Sequence, residues 1–117
     1  MSRTRRILIV GCDPRFVRET LSKGGFNHEK DFEIIEVAEA NAGVKELQGD
    51  DSIAAAVVPG LEELEAIRTS ERGQRLPVVV HSRHYRYELF RWDDVTRQTL
   101  VGDGHELLRG LNELLPA

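Results

Sequence analysis

The chain has one cysteine, Cys12, so an internal disulfide is excluded. With no secretion signal, a lone cysteine fits a reducing cytoplasm, and a cytoplasmic protein is the expectation. No apolar run approaches the ~20 residues of a membrane-spanning helix. The basic start MSRTRR leads only to Ile7–Val10 before Gly11, too short an apolar stretch for a signal peptide. Positive charge is not in excess: 16 Lys and Arg stand against 20 Asp and Glu, a net charge of −4. Nucleic acid and anionic membrane are therefore not the expected partners. Glycines are missing where a nucleotide would need them. GCDPRF lacks the second and third glycines that let a backbone approach a pyrophosphate. His28, His81, His84 and His105 show no metal-ligand spacing, since His81-x-x-His84 follows an apolar strand with no cysteine partner nearby. They read as surface or strand-end histidines, and neither a metal nor another cofactor is expected.

What is present is an ordinary globular composition, 40% apolar and 31% charged, which argues against disorder. A length of 117 residues suits one packed core, so residues 1–117 read as one domain, whole or the front of a longer chain. Ile7–Val10 is apolar at every position, as in a central parallel strand covered on both faces. Asp13 can cap the helix that follows, Pro14 suits its first position, Phe16, Val17 and Leu21 share a face, and Gly24-Gly25 stop it. Phe32–Val37 reads as a second strand. Asn41 caps a short helix carrying Val44 and Leu47 and ending at Gly49. Ile53–Val58 reads as a third strand. Gly60–Arg72 reads as a third helix, with Leu61, Leu64 and Ile67 inward and Glu62, Glu63, Glu65 and Arg68 outward. Leu76–Val80 is a fourth strand. Tyr85–Trp92 can form one or two helical turns, and Thr96–Val101 a fifth strand. Asp103 and Glu106 have capping-box spacing before a stripe of Leu107, Leu108, Leu111, Leu114 and Leu115. There is no repeat, low-complexity tract or linker. Alternating strands and helices predict an α/β fold, a (βα)5 three-layer sandwich around a five-stranded parallel sheet.

This order resembles the receiver domain of two-component response regulators, with its flavodoxin-like, chemotaxis-regulator fold. ILIVGCDP looks like the family's first strand and acidic turn, and AAAVVPGLEELEAIR like its third strand, Pro-Gly loop and third helix. LPVVVHS looks like the fourth strand and GDGHELLRGLNELL like the closing helix. The resemblance implies phosphoryl transfer from a kinase histidine to an aspartate, with Mg²⁺ held by acids after the first strand. It also implies a lysine after the fifth strand and a Ser or Thr after the fourth. Each part places charge or a hydrogen bond, which a methyl group cannot replace. Here the acid pair falls near Gly11 and Cys12, with Asp13 the turn's one carboxylate. The phosphoacceptor falls at Ala55 counted back from Pro59, or at Ala56 counted forward from Asp51. The lysine position falls near Leu100, and no lysine follows Lys45. Ser82 matches the hydroxyl. These positions read as a vestigial receiver site, and the chain as a pseudo-receiver without enzymatic activity.

Two further features carry chemistry. Cys12-x5-Arg18 matches the bare signature of a cysteine phosphatase loop, which keeps a small cytosolic enzyme as the alternative. The intervening residues argue against it, because Pro14 removes an N–H donor and Asp13 repels an anion. SRHYRYELFRW, residues 82–92, holds four of the chain's seven aromatics, Tyr85, Tyr87, Phe90 and Trp92, beside Arg83, Arg86 and Arg91. These types are favoured at binding hot spots, and the resemblance places the stretch on the face by which receivers meet partners. Packing beside a thin helix explains the same aromatics equally well. The expected partner is a signalling protein, either a kinase or an output domain, and a homodimer is also open.

Overall fold

The computed structural model describes residues 5–11, 14–22, 32–82, 95–100 and 104–115. Its five strands are β1 (Arg5–Val10), β2 (Phe32–Val37), β3 (Ile53–Val58), β4 (Val78–Ser82) and β5 (Thr96–Leu100). Among the described residues the helices are α1 (Pro14–Ser22), α2 (Ala40–Gly49), α3 (Leu61–Thr69) and α4 (Gly104–Leu114). All strand pairs are parallel, in the order β2-β1-β3-β4-β5. The chain steps outward from β1 to β2, then crosses back to β3 and onward. Right-handed crossovers in opposite directions put helices on opposite faces of the sheet. The result is the three-layer, flavodoxin-like sandwich.

The alternation of side chains along each strand sorts the core into two layers. Leu8, Val10, Ala56, Val58, Val78 and Val80 pack with Leu47 of α2 and with Leu64 and Ile67 of α3. Ile7, Ile9, Ala55, Val57 and Val79 pack with Val17 and Leu21 of α1 and with Leu107 and Leu111 of α4. This two-sided burial is why β1 and β3 read as unbroken apolar runs, and why three alanines of low strand propensity still form β3. Each fully buried Leu or Ile contributes about 1.5–3 kcal/mol relative to exposure. One glycine lets a helix approach the sheet closely: a Cβ on Gly43 of α2 would come within 3.0 Å of Val10 Cγ2.

β2 and β3 keep the bounds expected from sequence, and β1 starts two residues earlier at Arg5, paired with Phe32. Four local expectations are corrected. Asn41 is not a cap: α2 begins at Ala40, and the preceding Glu39 is extended with no side-chain capping bond. α3 ends at Thr69 rather than Arg72, because the Ser70 N–H and hydroxyl both donate to the Ile67 carbonyl and close the helix. β4 runs over Val78–Ser82, two residues later than expected. Leu76 belongs to the loop, its carbonyl accepting a 2.6 Å bond from Arg68. Arg68 itself turns inward to that loop instead of outward. The caps expected at Asp13 and Asp103, the stop at Gly24-Gly25, the helix at Tyr85–Trp92 and residue Val101 lie outside the described residues.

Candidate functional site

In an open parallel sheet, ligands bind at the carboxyl ends of the strands where the strand order reverses. Here the reversal lies between β1 and β3. The residues that follow those strands are Gly11 and Pro59. Gly11 has φ +65°, the left-handed conformation that glycine adopts at little cost. Its N–H donates to the Val37 carbonyl at 2.9 Å. A Cβ on it would lie 3.4 Å from the Ala38 carbonyl oxygen and 3.5 Å from Pro59 Cγ. The turn therefore closes over β2 and β3 through backbone and a proline ring. Cys12 and Asp13 lie outside the described residues.

The two alanines inferred as phosphoacceptor positions are not at this edge. Ala55 pairs with Ile7 and Ala56 with Leu8, well inside β3. Both are fully buried, Ala55 toward α1 and α4 and Ala56 toward α2 and α3. The residue at the carboxyl end of β3 is Val58, itself fully buried. None of the three has an atom that attacks phosphorus. Ser82 is the last residue of β4 rather than the first after it, and it pairs with Leu100 at the end of β5. Backbone geometry thus brings Gly11, Ser82 and Leu100 to the carboxyl edge of the sheet and leaves Ala55 and Ala56 in its interior. Arg83, Tyr85, Arg86, Tyr87, Phe90, Arg91 and Trp92 lie outside the described residues. No group of three His, Cys, Asp or Glu side chains is placed to hold a metal among the described residues.

Arg18, the candidate anion-binding arginine, is on α1 and pairs with Glu36 of β2. Both side chains are substantially exposed, so the pair contributes at most about 1 kcal/mol. Its consequence is directional: the guanidinium is drawn toward the β2 edge.

Three side-chain constellations were not read from the sequence. His81 is buried in β4, where Nδ1 shares a 2.7 Å hydrogen bond with Thr99 Oγ1 of β5. Its ring stacks on Phe16 of α1 at 5.4 Å between centroids. The reading of His81 as a strand-end residue holds, but it is not on the surface. Arg68 spans the opposite edge. It donates to the Gly73 carbonyl at 2.7 Å, to the Leu76 carbonyl at 2.6 Å and to Thr96 Oγ1 at 2.8 Å. Asp50 accepts bonds from the Ser52 N–H, the Ser52 hydroxyl and Arg6. The Ser52 bonds, hydroxyl first, hold its carboxyl below the usual range, with partial burial opposing and Arg6 assisting. The Asp-x-Ser turn before an apolar run was legible as local chemistry. No local signal links Arg68 to Thr96 or His81 to Thr99.

No helix among the described residues is long and apolar enough to cross a membrane. No family model matches the chain, and no curated protein matches it. Among solved structures it is similar to the lysine decarboxylase LdcF of Francisella novicida, with a TM-score of 0.61 and 15% identity. The match covers 98% of this chain and 18% of that one, so the chain spans less than a fifth of the decarboxylase. At that identity the likeness bears on the fold alone.

Proposed function

We propose that this chain is a receiver-like signalling module of the cytoplasm that cannot be phosphorylated and acts through protein–protein contact in a bacterial signal-transduction pathway. One observation carries the reading. The strand order is that of an open sheet with its crevice between β1 and β3, and the described residues there are Gly11, Val58 and Pro59, with Ala55 and Ala56 buried behind them. Phosphoryl transfer to a protein carboxylate requires that carboxylate at the crevice and a cation or lysine to offset the phosphoryl charge. A domain with alanine at both candidate acceptor positions and no lysine after Lys45 is left with its surface. The surface assigned to a kinase or output domain is the aromatic–arginine stretch from Arg83 to Trp92, on its composition.

Incubation with acetyl phosphate and millimolar Mg²⁺, followed by intact-mass and peptide mass spectrometry, tests the proposal. The expected result is no mass gain, with no Mg²⁺ binding heat by calorimetry. A phosphoryl group mapped to an aspartate of this chain overturns it. So does hydrolysis of a chromogenic phosphate ester that disappears in Cys12→Ser, since that places the function in a cysteine nucleophile instead.

A further inference from the structure

We draw no further inference here: the strongest candidate, the buried His81–Thr99–Phe16 cluster at the carboxyl end of β4, carries nothing because the segments after β1 and β4 that must complete any ligand or proton site there lie outside the described residues.

Discussion

Ala55 decides the most at the scale of single residues. Its side chain faces the layer of Val17, Leu107 and Leu111, with no exposed surface. Ala55→Asp therefore introduces a carboxylate into an apolar layer rather than restoring an acceptor. An unpaired buried polar group costs ~2–7 kcal/mol, and more when ionised. The variant is expected to unfold or to denature at far lower urea than the parent, and to gain no phosphate from acetyl phosphate. A stable Ala55→Asp that becomes phosphorylated shows that β3 presents this position to the crevice after all. Asp50 gives a prediction in pH. Its carboxyl titrates lower in the folded chain than in the unfolded one, chiefly through Ser52. The folded state thus binds the proton less well, and the stabilisation is fully present above the unfolded value. It is lost as pH falls through the folded one. Asp50→Asn should be less stable than the parent at pH 7, and the gap should close in acid. Urea midpoints measured from pH 7 down to pH 3 read this directly; a gap that stays constant removes the charge from the explanation.

The informative element is the connection from α3 to β4. Ser70 closes the helix and Gly73 fits beneath it, since a Cβ on Gly73 would lie inside contact distance of the Ile67 carbonyl. Arg68 then ties the Gly73 and Leu76 carbonyls to Thr96 at the start of β5. The planar guanidinium forks between these acceptors, which a lysine ammonium on its single-point stem cannot match. Arg68→Lys should cost about 1–3 kcal/mol, in the range of one lost bond to a charged group. Arg68→Met should cost at least as much, because the Gly73, Leu76 and Val95 carbonyls and the buried Thr96 each lose a donor. Equal stability of all three proteins by chemical denaturation means that water serves these acceptors as well as Arg68 does. The same connection explains where the sequence misled. The pattern of Leu61, Leu64 and Ile67 continues to suggest helix past Thr69, and Leu76-Pro77 continues the apolar run of β4. The Ser70 bonds to the Ile67 carbonyl end the helix, and Arg68, tied to Leu76 and to Thr96, holds the loop ahead of the strand.

At the scale of the whole fold, helices cover both sheet faces, and among the described residues the receiver-site positions hold Gly11, Ala55, Ala56 and Leu100, with Ser82 the one hydroxyl among them. Under the proposed function, a partner is held by a few surface anchors. Arg86→Ala combined with Tyr87→Ala is expected to weaken capture of a partner from the native host, with circular dichroism melts close to the parent's. A large fall in melting temperature identifies those residues as core and moves the contact surface elsewhere.

The sequence by itself determined the architecture. Unbroken apolar runs at Ile7–Val10 and Val78–Val80 require strands buried on both faces, and the helical stripes between and after the strands supply the covering layers. Phe32–Val37 and Ile53–Val58 were legible to the residue: the polar Asp31 and Ser52 mark their starts, and Pro59-Gly60 stops the second. The lack of an acidic residue from Ser52 to Pro59 was equally plain. Tertiary structure alone decided which residues face the crevice. Register against β1 sets Ala55 and Ala56 opposite Ile7 and Leu8, and spacing counted from Pro59 or Asp51 cannot supply that pairing. It also decided that His81 is inside, bonded to Thr99, and that Arg68 turns inward. The bonds to Thr99 and Thr96 reach 18 and 28 residues along the chain, brought close by strand pairing rather than by any local preference.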